Sequence, residues 1–302
     1  MLTPGSTGVV VGVNRTAAGL AAVRLGAREA VARGCALRIV HAFTWPEKAP
    51  PRPWPETVGP GPGQDLESQD YGTARQAAAR MVEHAVAVAR RATPAPDVRG
   101  MVVDGPPARV LLQQSRTAQL LILGEDDLAT VPHLTVGSVL LQTVSRARCP
   151  VVVARGVRPP TGPLLAGVDG SATSLAALRH AAAEAHRRHL TVEVAHVVER
   201  PGPAAQARAR GLIDAAVAAV PELPAHRVLL LTGDPATELV RASRHARMVI
   251  VGPRGADGSP LLGIVAYELL RRCVCPTLFV HGTTADERTT TGTVPSAGAL
   301  AS

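Results

Sequence analysis

The chain is written twice, and that duplication limits its possible folds more than any other feature. Val9-Val10-Val11-Gly12-Val13-Asn14-Arg15-Thr16, a helical stretch and Leu37-Arg38-Ile39-Val40-His41-Ala42 return as Leu164-Leu165-Ala166-Gly167-Val168-Asp169-Gly170-Ser171 and Val192-Glu193-Val194-Ala195-His196-Val197. Asn14 thus aligns with Asp169 and His41 with His196, both at an offset of 155. Further on, Leu120 to Gly124 matches Met248 to Gly252 and Cys149-Pro150 matches Cys275-Pro276, at offsets of 128 and 126, so the second copy has lost residues in its middle. A repeat of this size is a whole domain rather than a solenoid unit. The 302 residues divide into a first domain at 1–157, a second at 158–282 and a Thr-, Gly- and Ala-rich tail at 283–302 whose composition reads as disordered.

Each copy alternates short apolar runs with helical lengths of chain, in the order β-α-β-α-β-α-β-α-β. The runs are Val9–Val13, Ile39–Phe43, Met101–Val103, Leu120–Leu123 and Val151–Val153, then Leu164–Val168, Val192–Val198, Val228–Leu231, Met248–Val251 and Thr277–Val280. Runs apolar on both faces predict parallel strands covered by helices on either side, an α/β doubly wound sheet in each copy. The chain is 46% hydrophobic but only 2% aromatic, so Val, Leu and Ala must fill the interior. Leu20, Val23, Ala27 and Ala30 recur as Leu175, Leu178, Ala182 and Ala185, a spacing that makes one apolar helix face, with Thr16 and Ser171 placed to cap those helices. The lost length is a Pro- and Gly-rich stretch at 44–68, replaced in the second copy by a short turn near Arg200-Pro201-Gly202-Pro203. It reads as an insertion without chemistry, with a lid as the alternative.

The formal charge is +8, carried almost entirely by arginines spread over every helix, with Lys48 the one lysine. Six aromatic residues give no interleaved stacking platform, which argues against nucleic-acid binding. No apolar run is long enough to span a membrane, and the N-terminus has no basic region leading into an apolar one, so the expected location is cytoplasmic. Cys35, Cys149, Cys273 and Cys275 contain no C-x-x-C pair; they read as buried thiols, with redox chemistry at Cys273 and Cys275 as the alternative. His180, Glu184, His186 and His189 share one helix, but no further ligand completes a metal set, and no Ser-His-Asp spacing suggests a nucleophile.

In an open parallel sheet ligands bind beyond the carboxyl ends of the strands, where strand order reverses. That places Asn14 and Asp169, His41-Ala42 and His196-Val197, and the turn after the fourth strand at one site in each copy. In the first copy the turn runs Gly124-Glu125-Asp126-Asp127 and, nine residues on, Gly137-Ser138-Val139 opening a helix. Glycines let backbone N–H groups approach a phosphate, and a helix N-terminus adds positive potential. Neither copy has a Walker A sequence, and no G-x-G-x-x-G follows the first strand.

With these residues the chain resembles the universal stress protein family in tandem form, of an actinobacterial kind. The pattern is an apolar strand ending in Asp, then G-x2-G-x9-G-(Ser/Thr) before a helix, then Cys-Pro and an apolar strand; it covers residues 7–154 and 163–281. The resemblance implies a five-stranded parallel sheet in the order 3-2-1-4-5 in each domain, pairing of domains through their last strands, and ATP, with Mg, held at the ends of strands one and four. Carried over, the nucleotide-binding positions of the first copy are Ala42, Gly124, Gly137, Ser138 and Val139. That copy has Asn14 for the strand-one carboxylate and Asp127 for the second glycine, so repulsion of a triphosphate is expected. The second copy offers Asp169, Val197, Gly252, Arg254, Gly255, Gly263 and Val265. Its glycine loop is two residues short and Ile264 stands at the Ser position.

The expected function is a stress-response regulator that binds ATP or another adenine nucleotide through degenerate phosphate loops. It is expected to have no metabolic activity, to form an internal pseudo-dimer, and to allow further homodimerisation or a protein partner. Two alternatives remain open: a nucleotide-independent protein-interaction module with the same fold, and an ATP-hydrolysing enzyme.

Overall fold

The computed structural model describes residues 8–45, 71–93, 97–125, 138–156, 161–255 and 262–281. The expected tail at 283–302 and most of the insertion at 44–68 lie outside them. The first repeat contains β1 (Val9–Gly12), α1 (Ala17–Arg33), β2 (Leu37–Phe43), α2 (Tyr71–Ala92), β3 (Val98–Asp104), α3 (Pro107–Gln114), β4 (Leu120–Gly124), α4 (Val139–Arg146) and β5 (Val151–Ala154). The second contains β6 (Leu164–Gly167), α5 (Ala172–Arg188), β7 (Val192–Val198), α6 (Pro203–Ala218), β8 (His226–Thr232), α7 (Pro235–Ala242), β9 (Met248–Val251), α8 (Ile264–Arg272) and β10 (Thr277–Phe279).

All ten strands join in one sheet, ordered β3-β2-β1-β4-β5-β10-β9-β6-β7-β8. Each half is the expected 3-2-1-4-5 parallel arrangement. The halves meet through their last strands, antiparallel, with Thr277 opposite Val153 and Phe279 opposite Val151. Strand alternation sends successive residues to two helix layers. Val9, Val11, Leu120, Ile122, Leu164 and Ile250 pack under α1, α2, α5 and α6, whereas Val10, Leu121, Val151, Leu165, Val249 and Phe279 pack under α3, α4, α7 and α8. Both cores run across the junction.

The edge strands depart from the sequence expectation. β3 and β8 are not covered on both faces: four of the seven residues in each are exposed, Met101 and Val228 among them. They lie at the two ends of the sheet, where no further helix pair exists to cover them. Thr16 and Ser171 do cap α1 and α5, their hydroxyls accepting from Gly19 N and Ser174 N. Both helices end on a left-handed residue, Gly34 in the first and His189 in the second, where φ is 53°. His189 thus turns the chain at a helix end, a task that normally falls to glycine.

A charged cluster fastens α1 to α5 near the junction. Glu29 and Glu184 are equivalent positions, as are Arg33 and Arg188, and each arginine bonds both carboxylates. Arg188 Nε lies 3.0 Å from Glu184 Oε2, and Arg187 adds a bond of 2.8 Å to Glu184 Oε1. The Glu29 and Glu184 side chains are each 2% exposed, so neither charge has water to fall back on. Glu184, the helix carboxylate a metal reading would need, is surrounded by arginines instead.

Burial pushes the Glu184 carboxyl up, but Arg33, Arg188 and Arg187 outweigh it and hold the group at about 2. Burial likewise keeps the neighbouring His180 neutral down to about 4. Both folded values lie below the unfolded ones, so the stability they contribute is present at neutral pH and lost in acid. His180 gives its part up as pH falls below 6.5 towards 4, and Glu184 as pH falls below 4.5 towards 2. The Glu184 part is on the order of 3 kcal/mol. Glu184→Ala, which leaves Arg33 and Arg188 to share Glu29 alone, should cost about 3 kcal/mol in denaturant unfolding at neutral pH. The variant should also lack the wild-type loss between pH 4.5 and 2.

Candidate functional site

At the carboxyl ends of the strands each repeat holds a cleft, at the point where the chain leaves the paired strands β1 and β4, or β6 and β9, for opposite helix layers. In the second repeat Asp169 sits two residues beyond β6, with Oδ1 accepting from Ser171 N at 2.9 Å and Ser171 Oγ at 2.6 Å. Those bonds fix the carboxylate at the start of α5. His196 Nδ1 lies 2.8 Å from Val168 O, tying the ends of β6 and β7 together. From the first turn of α5, Thr173 Oγ1 donates to Arg254 O at 2.8 Å and so clamps the loop after β9. Gly252 is needed for that approach: a Cβ there would lie 2.7 Å from Thr173 Oγ1.

The result is a cavity of about 310 Å³ lined by Asp169, Val197, Gly252, Arg254, Gly255, Gly263 and Val265, together with Ala195, Pro235 and Leu239. All seven residues expected from the sequence of this repeat are brought together. Ile264 begins α8 with 78% of its surface exposed, and Gly263 before it supplies no side-chain cap. The N–H groups of this first helical turn have no acceptor within the helix, and they carry the positive end of its dipole. Arg254 Nε is buried without a hydrogen-bond partner among the described residues.

The first repeat repeats the frame with different chemistry. Asn14 Oδ1 accepts from Thr16 N at 3.3 Å and Thr16 Oγ1 at 2.8 Å, and His41 Nδ1 lies 2.9 Å from Val13 O. Ala42, Gly124 and Val139 line a cavity of about 190 Å³ whose other walls are mostly apolar, including Val13, Leu111 and Leu123. Ser138 is outside that lining, and its hydroxyl caps α4, accepting from Leu141 N at 3.4 Å. No arginine or lysine is among the lining residues. Glu125, at the start of the loop, is bound by Arg155 Nε at 3.0 Å. Gly137, Asp126 and Asp127 lie outside the described residues.

Sequence reasoning missed the residues that carry one repeat onto the other. Arg155, just past β5, is buried; besides Glu125 it bonds Thr277 Oγ1 at 3.0 Å and the carbonyl of Leu270 in α8. His281, just past β10, bonds the carbonyl of Val144 in α4 at 2.8 Å. The two occupy equivalent positions, 126 apart, and their targets are 126 apart as well. The offset was readable, but Arg and His share no chemistry that would have singled them out.

Comparison with known proteins agrees with this architecture. The sequence pattern of the Universal stress protein family matches residues 7–155 and again residues 161–281. The chain belongs to the universal stress protein family. A universal stress protein of Mycobacterium tuberculosis is 34% identical over 272 residues, covering 84% of this chain and 88% of its own. Another from the same organism is 31% identical over 299 residues, covering 90% and 96%. Among solved structures, a universal stress protein from Archaeoglobus fulgidus superposes with a TM-score of 0.66 over 92% of this chain and 97% of its own. At 14% identity that likeness concerns the fold. No helix among the described residues of this tandem universal stress protein is long and apolar enough to cross a membrane.

The glycines at the strand ends set a test of the clefts' geometry. A Cβ on Gly124 would meet the backbone of Ala18 at 2.6 Å, and one on Gly252 would meet Thr173, whereas Gly211, within α6, has open space around it. Gly124→Ala and Gly252→Ala should each lower unfolding free energy by about 1–3 kcal/mol. Gly211→Ala should raise it by about 0.4–1 kcal/mol, so chemical denaturation should show opposite signs.

Proposed function

We propose that this tandem universal stress protein is a stress-response regulator that binds ATP or a related adenine nucleotide in the cleft of its second repeat. The observation that carries the reading is Arg254, whose Nε is buried and unpartnered in a cleft that also presents the uncapped start of α8. A buried donor without an acceptor is costly, and an anion at that place would satisfy it. Arg254 and the backbone N–H groups at Ile264 and Val265 would hold the phosphates, with Gly252 and Gly255 keeping the loop backbone close. Asp169 would accept from the sugar side, and the Val197 backbone would face the base. Mg, where it accompanies the nucleotide, supplies charge neutralisation.

The first repeat supports no equivalent role. Its cleft has Asn14 for the carboxylate and no arginine or lysine among its described lining residues, and Glu125 at the start of its loop is paired with Arg155. Asp127 replaces the second glycine of the family pattern, and a carboxylate about 4 Å from a phosphate would cost roughly 4 kcal/mol at an effective dielectric near 20, about half of a micromolar site. Asp169 is engaged by Ser171, and no second acid is among the described residues lining the cleft, which favours binding over turnover.

Titration of the full chain with ATP by calorimetry tests the assignment. Arg254→Ala should weaken binding by roughly 10- to 100-fold, the loss of one charge-assisted hydrogen bond, while Ser138→Ala leaves it unchanged. Loss through Ser138→Ala alone would move the nucleotide to the first repeat. No heat and no thermal shift at millimolar ATP would leave the fold serving as a nucleotide-independent protein-interaction module.

A further inference from the structure

Two of the four cysteines stand in contact. Cys273 is the C-cap residue of α8, Cys275 precedes β10, and their Sγ atoms are 3.9 Å apart. Both side chains are buried, yet Val274 between them is 54% exposed, so the turn that carries the pair reaches the surface.

The first repeat serves as an internal control for this turn. There it reads Ala147-Arg148-Cys149, and Ser115 Oγ accepts from Arg148 N at 3.1 Å, as Ser243 Oγ accepts from Val274 N at 3.5 Å in the second repeat. Ala147 is as buried as Cys273. The same turn therefore forms with alanine at that position, and packing does not require the second thiol.

The surroundings of the pair are polar for a buried place. A hydrogen bond from Cys275 lowers the Cys273 thiol against its burial, with help from the hydroxyls of Ser243 and Thr277 and the charge of Arg155, and the same bond pushes Cys275 up. Cys149 has no second thiol beside it, and burial pushes it up to about 12. Thiolate character, on which reactivity depends, is thus concentrated at one of the four sulfurs.

We propose that Cys273 and Cys275 form a reversible intramolecular disulfide when the protein meets a hydroperoxide, which makes this turn a thiol redox site. The Cys273 thiolate attacks the peroxide oxygen; the O–O bond breaks, and Cys273 becomes a sulfenic acid as hydroxide leaves and takes up the thiol's proton as water. Cys275 then attacks the sulfenic sulfur, the S–S bond forms, and a second water leaves with the Cys275 proton. Two thiols are oxidised by two electrons and one hydroperoxide is reduced. The sulfurs must approach by roughly 2 Å to reach bonding distance, a side-chain movement within a turn that already holds them side by side. The ring would close beside Arg155, whose bonds to Thr277 and to the Leu270 carbonyl join the first repeat to β10 and α8.

The full-length protein should be treated with a small excess of hydrogen peroxide, quenched, unfolded, alkylated and weighed by intact-mass and peptide mass spectrometry. The expected result is alkylation of two thiols instead of four. The mass should fall by two hydrogens before alkylation, with Cys273 linked to Cys275, and dithiothreitol should reverse the change. Cys273→Ala should keep the circular dichroism spectrum of the parent, as the Ala147 turn leads one to expect, and should form no such link. Full alkylation after peroxide, an oxygen adduct without a cross-link, or a bond between other cysteines or between chains would overturn the proposal. Should Cys273→Ala fail to fold, peptide mapping of the parent protein decides the matter alone. None of these readouts involves nucleotide.

Discussion

The antiparallel pairing of β5 with β10 is the constraint on which the rest of the molecule depends. A parallel strand in this class of sheet is covered on both faces, so its side chains are apolar and its unpaired backbone edge is a liability. Val151 to Ala154 and Thr277 to Phe279 are all buried. Alone, either repeat would expose one such strand along its edge. Joined, each strand supplies the other's missing neighbour, and ten strands share two continuous cores.

The junction is reinforced on both sides of the sheet. On one face Glu29, Arg33, Glu184 and Arg188 form a closed set in which every charge faces two of opposite sign. On the other, Arg155 reaches a carbonyl of α8 and His281 reaches a carbonyl of α4, so each repeat ends by bonding a helix of its neighbour. These helices begin at the clefts. The same contacts that join the repeats therefore anchor the two helices whose first turns border the clefts.

Duplication also freed the copies to diverge. Both keep the His-to-carbonyl bond between the first two strands and the side-chain bond that fixes the residue after strand one. Around that frame the first repeat has Asn14, a capped α4 and a smaller cleft, while the second has Asp169, an uncapped α8 and Arg254. The turn before the last strand diverges too, with Ala147 in one copy and Cys273 in the other. Each copy shows what the fold tolerates at the corresponding position of the other.

Much of this was legible in the chain itself. Apolar runs at strand spacing, helix-capping Thr16 and Ser171, and glycines after the fourth strand of each copy report local physics, and local physics is what sequence periodicity encodes. The duplication showed two copies of one α/β unit, while the strand order 3-2-1-4-5 and the pairing through the last strands came from the resemblance to the family. The rule that ligands meet parallel sheets at their carboxyl ends pointed to Asp169, His196-Val197 and the turn after the fourth strand, and the resemblance to the family singled out Gly252, Arg254, Gly255, Gly263 and Val265 within that turn and the helix it opens. Exposure of β3 and β8, the buried charges of Glu29 and Glu184, and the crossing bonds of Arg155 and His281 were decided only by the tertiary structure. Each depends on which surfaces the second copy covers, and nothing in a residue's own neighbourhood along the chain records what will come to lie against it.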